Sequence, residues 1–116
     1  ATLIHKADTL NPLAISAATA VDMLTEQGAK CLGYKNIGKL ESGYKADITL
    51  IDREGLHWYP KNNTLSLFVY AGNSFDVDTV LVNGKVLLRH KEFTTIDIEK
   101  VKSEAERTKN KLFSML

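Results

Sequence analysis

Apolar residues recur three and four positions apart from the very start of the chain, where Leu3, Ile4, Ala7 and Leu10 mark one face of a helix. No capping residue or polar lead-in precedes them, so the pattern reads as a cut through a longer chain. Asn11-Pro12 breaks this helix, because the proline ring disfavours helical geometry in the residue before it. Ser16 is a good N-cap for a second helix with the stripe Ala17, Ala20, Val21 and Leu24. Thr25 can cap a short third helix over 26–32, closed by Gly33 where a left-handed residue ends helices. The character then changes. Gly38 and Gly43 flank a turn-rich stretch, and residues 46–52 read as a strand. Residues 52–55 are turn material and 60–64 a loop. Residues 65–71 alternate as a second strand, with Leu65, Leu67, Val69 and Ala71 on one face and Phe68 and Tyr70 on the other. Two further strands, 77–82 and 85–93, flank Asn83-Gly84, the strongest short hairpin signal, because a type I′ turn needs positive φ twice.

The final segment is the clearest helix. Asp97 is its cap, and Ile96 and Val101 hold the two positions of a hydrophobic staple. Ile98, Val101, Ala105, Thr108, Leu112 and Met115 form an apolar stripe, with Glu99, Lys100, Lys102, Glu104, Glu106, Arg107 and Lys109 outside it. That pattern predicts a helix laid on a core, and a coiled-coil seam is the narrower reading. The elements sum to an α+β fold: helices, an antiparallel β-rich region, then a helix.

Length and charge narrow the function. A chain of 116 residues is about one domain and can bury roughly two thirds of its unfolded surface. Fifteen basic residues against fourteen acidic ones give a net charge of +1, which supplies no field for a polyanion, so nucleic-acid and anionic-membrane roles are disfavoured. The single Cys31 excludes an intramolecular disulfide and a zinc site built on several thiolates, and it reads as a small buried hydrophobe. No apolar run approaches the ~20 residues of a membrane span, and no leader is visible, so a cytoplasmic setting is expected. Asn62-Asn63-Thr64 matches a glycosylation acceptor by chance.

The search for chemistry returns little. His5, His57 and His90 are far apart and share no helix face or strand pair, which argues against a histidine metal site. His57-Trp58-Tyr59-Pro60 is the most aromatic spot, and a half-exposed packing role is expected for its tryptophan. Asp76 and Asp78 have strand spacing, yet acids just before a strand are usually solvated. Asp47 and Asp52 bracket the 48–51 strand and are expected to accept backbone N–H bonds from adjoining turns. Gly33, Gly38 and Gly43 fit neither dinucleotide nor P-loop spacing, and Ser66 and Ser74 lack a G-x-S-x-G context. A small catalytic site made of Asp76, Asp78 and His90 finds no support in the spacing. No catalytic, cofactor-binding or metal-ligating residue is therefore assigned.

One stretch is specific. Gly28-Ala29-Lys30-Cys31-Leu32-Gly33, followed by Ile37-Gly38-Lys39-Leu40-Glu41-Ser42-Gly43-Tyr44-Lys45-Ala46-Asp47-Ile48, resembles the C-terminal signature of the metal-dependent amidohydrolase superfamily. Residues 77–86 resemble its closing hairpin and Thr95-Ile96-Asp97 the start of its last helix. Leu67-Phe68-Val69-Tyr70-Ala71 is similar to the branch of methylthioadenosine/S-adenosylhomocysteine deaminases and chlorohydrolases. Departures are small: Cys31 stands where Ala is usual, and Tyr44 where Lys or Arg is usual.

The resemblance implies a (β/α)8 barrel with a zinc- or iron-activated water and a small β-sandwich built from both chain ends. It divides this chain into barrel-end helices over 1–33, a composite β-domain over 34–93, and a C-terminal helix over 94–116 packed on it. The fold is then a remnant of barrel helices, an antiparallel β-sandwich-like small domain and a final amphipathic helix. The family's metal ligands, an H-x-H pair, two later histidines and an aspartate, have no counterpart here, so zinc or iron is expected only in a full-length member. The implied function is a structural segment of a hydrolytic deaminase of an amino-purine or related heterocycle. The alternative is a stand-alone β-rich interaction module. The expected partners are the missing barrel portion or another copy, with a homo-oligomer as the outcome.

Overall fold

A computed structural model describes residues 2–115. Three helices, α1 (Thr2–Thr9), α2 (Ala17–Leu24) and α3 (Glu26–Cys31), precede strand β1 (Ile48–Ile51). Helix α4 (Thr64–Tyr70) follows, then β2 (Val77–Val82), β3 (Lys85–Arg89), β4 (Glu92–Phe93) and helix α5 (Ile98–Phe113). Short 3-10 turns lie at Leu56–Trp58 and Ser74–Asp76. Helices combined with an antiparallel sheet make this an α+β chain, as its patterning predicts. Among the described residues no helix is long and apolar enough to cross a membrane.

Local chemistry sets most boundaries. Ser16 Oγ accepts the Thr19 N–H at 3.0 Å and starts α2. Gly33, at φ +73°, ends α3: its N–H and that of Tyr34 return to the carbonyls of Lys30 and Ala29, satisfying two orphan acceptors. Thr25 starts α3 without a side-chain cap, because its hydroxyl donates back to the Val21 carbonyl at 2.9 Å. Asp97 caps α5 by accepting the Lys100 N–H at 3.0 Å.

The four strands pair antiparallel in the order β1-β2-β3-β4, with Ile48 opposite Leu81 and Thr49 opposite Val80. Asn83 and Gly84, at φ 49° and 78°, form the β2–β3 turn. Asp47 accepts the Asn83 N–H at 2.6 Å, and the Ala46 carbonyl accepts the Gly84 N–H at 2.9 Å. Asp52 accepts the Glu54 N–H at 3.0 Å. Both aspartates bracketing β1 thus serve as backbone acceptors, as expected.

Several expectations are corrected. Residues 65–71 are not a strand but lie almost wholly in α4: Asn63 Oδ1 caps the helix at the Ser66 N–H, 2.9 Å. β1 pairs directly with β2, so a strand over 65–71 has no lane between them. The expected 85–93 strand is two strands, because His90 and Lys91 turn the chain at φ 49° and 67°. Cys31 is exposed: it lies two positions beyond the buried Ala29, on the other side of α3. The helix laid on a core is not seen either, since α5 buries none of its residues. A heptad stripe specifies that a helix has an apolar partner, not that the partner lies in the same chain.

The shape explains this. The chain exposes 9176 Å², against about 6,300 Å² for a compact monomer of its mass. Its radius of gyration is 18.7 Å, where about 13–14 Å is usual for this length. Among the described residues only Ala29 and Trp58 are buried hydrophobics. The described sheet is a single layer, and the large apolar residues of α1, Leu3 and Ile4, are exposed.

The β3–β4 turn yields a prediction. His90 and Lys91 hold left-handed conformations that cost non-glycine residues roughly 1 kcal/mol or more each. Their ion pairs with Asp78 and Asp52, both at 3.4 Å and solvent-facing, return little. Replacing them together by Asn and Gly is expected to stabilise the chain by about 1–2 kcal/mol in urea unfolding; a loss of stability would contradict the strain.

Candidate functional site

The densest polar cluster lies where the chain leaves β1 and re-enters the sheet at β2. The Asp52 N–H donates to the Asp76 carbonyl at 2.7 Å, which joins the two ends of the excursion. Asn73 and Asp76 close the intervening 3-10 turn reciprocally: Asn73 Oδ1 accepts the Phe75 N–H at 2.9 Å, and Asp76 Oδ2 accepts the Asn73 N–H at 2.8 Å. The same carboxylate receives His57 Nε2, at 3.0 and 2.9 Å from its two oxygens. Asn73 Nδ2 lies 3.3 Å from that ring nitrogen. Since Nε2–H donates to the carboxylate, that ring nitrogen has no lone pair to accept the Asn73 amide N–H, and the amide is only a neighbour there.

Trp58 backs the cluster at 1% exposure, so the half-exposed role expected for it is corrected to a fully buried one. Asp76 is likewise buried and not solvated, because the turn folds its carboxylate inward onto His57. The Arg53 guanidinium sits 5.7 Å above the indole ring, and the His57 ring lies 5.8 Å from it at 46°. The imidazole packs on Gly55, where a Cβ would come within 2.6 Å of Cε1. The Trp58 indole N–H and Arg53 Nε are buried without a partner in hydrogen-bond geometry.

The electrostatics follow from these contacts. Burial pushes the Asp76 carboxyl up, but the Asn73 N–H, the His57 hydrogen bond and charge, and the nearby indole N–H together hold it below the ordinary value. The Thr79 hydroxyl bond, at 2.7 Å, leads in lowering Asp78, with His90 adding to it against partial burial. The two aspartates face different partners and do not form a carboxylate pair.

A carboxylate-oriented imidazole is half of an acid–base device, yet neither the Ser66 nor the Ser74 hydroxyl is hydrogen-bonded to His57. His90 pairs with Asp78 instead, and among the described residues His5 has no carboxylate partner. Among the described residues no group of three or more His, Cys, Asp or Glu is placed to hold a metal ion. A groove of about 960 Å³ opens between α2, β1 and α4, walled by Val21, Leu24, Ile48, Phe68 and Val69. It is apolar packing surface. The sequence signal for the cluster was the spacing Asn73-x-x-Asp76, a reciprocal cap that fixes where the carboxylate points.

Because Asp76 is held low in the folded state, it stabilises the fold above the ordinary carboxylate pKa near 4, and that contribution is lost as pH falls through its folded value. Asp76→Asn is expected to lower stability at pH 7, and the gap from the parent is expected to close towards pH 2. Trp58, the only tryptophan, reports both unfolding curves by fluorescence. A gap independent of pH would refute the charged role. Trp58→Ala is expected to cost about 3–5 kcal/mol in urea unfolding followed by far-ultraviolet circular dichroism, which does not depend on the indole.

The sequence pattern described as the Amidohydrolase family matches residues 1–87. The chain is 41% identical over 104 residues to the 5-methylthioadenosine/S-adenosylhomocysteine deaminase of Dictyoglomus thermophilum, covering 90% of this chain and 24% of that protein. It superposes on a zinc-bound adenosine deaminase from Xanthomonas campestris with a TM-score of 0.92 and 28% identity, covering 97% of this chain and 26% of that one. A zinc complex of atrazine chlorohydrolase from Arthrobacter aurescens gives 0.83 and 28%, over 92% of this chain and 24% of that one. The chain thus spans about a quarter of the length of the curated relatives it matches. With three quarters of its residues inside the family pattern, the chain belongs to the amidohydrolase family, as a C-terminal portion similar to that of the deaminases and chlorohydrolases.

Proposed function

We propose that this chain is the structural, non-catalytic part of a metal-dependent deaminase that hydrolyses a C–N bond of an amino-purine or related heterocycle in the cytoplasm. The deaminase names of the relatives support the chemistry. The observation that carries the structural role is the missing core: large apolar residues on α1, α2, α5 and β1 stand open to solvent. In this reading residues 1–33 complete a barrel wall, 34–93 supply most of a two-layered β-domain, and 94–116 lay the α5 stripe on surfaces contributed by the rest of the enzyme. The exposed faces also suit contacts between copies, which favours a homo-oligomer.

The zinc found in the structural relatives does not fit this chain, whose described residues offer no three-ligand group. No step of a hydrolysis is therefore assigned to these residues. Their part is to bury the flank of the enzyme that holds the ion and to fix its geometry through packing.

Two measurements test the reading. The purified 116-residue chain is expected to carry zinc only at background by elemental analysis and to release no ammonia from adenosine or methylthioadenosine. Stoichiometric zinc would overturn the non-catalytic role. In the native source, an intact mass well above 12.9 kDa is expected. A mass of 12.9 kDa would instead favour a stand-alone interaction module.

A further inference from the structure

We propose that residues 64–71 have a second, extended conformation through which two copies of this chain pair when α4 leaves α2. Leu65, Leu67, Val69 and Ala71 alternate with Ser66, Phe68 and Tyr70 at strand spacing, yet the segment is helical. No charged residue and no proline occurs anywhere from Asn62 to Phe75. A short, uncharged, β-branched and aromatic run is the composition that stacks strand on strand.

The helical state is weakly held. α4 has seven residues, whereas an isolated helix needs about 12–15 to be even marginal in water. It contains no charge pair of its own, and Phe68, Val69 and Tyr70 are poor helix formers. What keeps it is the Asn63 cap at 2.9 Å, packing on α2, and the bond from Lys6 to the Tyr70 hydroxyl. Its flank is already open, with Leu65 and Tyr70 nearly half exposed beside the apolar groove.

The occupant is a second copy of the same segment. Stacking 64–71 on itself brings apolar and hydroxyl side chains together with no like charges. The other exposed elements do not offer this. β1 is bracketed by Asp47 and Asp52, and the α5 stripe is flanked by lysines and glutamates along its length.

The test uses the 116-residue chain with 13C carbonyl labels at Leu67 and Val69, followed by thioflavin T fluorescence and infrared spectroscopy. Dye-positive assembly is expected, with the labelled carbonyls moving from the helical to the strand band. Ser66→Glu places a charge in the run and a carboxylate at the third position of the Asn63-capped helix, and it is expected to slow assembly several-fold. Asn63→Ala is expected to accelerate it. Ser103→Glu, which adds the same charge on exposed α5, is expected to change nothing. The proposal is overturned by a chain that stays dye-negative, by assembly in which the labels remain helical, or by Ser103→Glu slowing growth as much as Ser66→Glu.

Discussion

The antiparallel pairing of β1 with β2 constrains the rest of the chain. Residues 52–76 leave the sheet at the end of β1 and must return to the adjacent lane. The return is secured at a narrow neck, where the Asp52 N–H meets the Asp76 carbonyl and His57 meets the Asp76 carboxylate. With the neck closed, the excursion is free to carry α4 away from the sheet and onto α2. That docking and the Lys6–Tyr70 bond link the first helices to the excursion. Without the neck, β1 would be held to β2 only by its own short ladder and by the Ala46 and Asp47 bonds to the β2–β3 turn.

Features decided by neighbours in sequence were legible. Ser16, Gly33, Asn83-Gly84 and Asp97 sit where capping and turn chemistry put them, since each needs only the residues two or three positions away. The backbone-acceptor role of Asp52 was legible for the same reason, whereas Asp47 accepts its N–H from Asn83 across the fold. Residues decided across the fold were not. The alternation over 65–71 is a true strand pattern, and it loses to the Asn63 cap and to β1 already holding the lane beside β2. Trp58 and Asp76 look solvated or half-exposed in isolation because each is covered by a partner nineteen or fewer residues away whose approach depends on the neck. The α5 stripe was read as a face laid on a core, and among the described residues nothing buries it.

The molecule is therefore well ordered locally and unfinished globally. Its turns, most of its helix caps and its strand ladders are formed, while its apolar faces remain uncovered. The likeness to whole enzymes at a TM-score of 0.92 fits this description, because backbone geometry is set by contacts the chain keeps.

The pinned neck also bears on how such a chain changes over generations. A loop whose two ends are already fastened contributes its closing entropy once, and each doubling of its length adds only about 0.6 kcal/mol. Insertions and deletions between Asp52 and Asp76 thus leave the strand register untouched, provided His57, Asn73 and Asp76 still meet. Added residues in this excursion are therefore expected to disturb the sheet less than added residues within its strands.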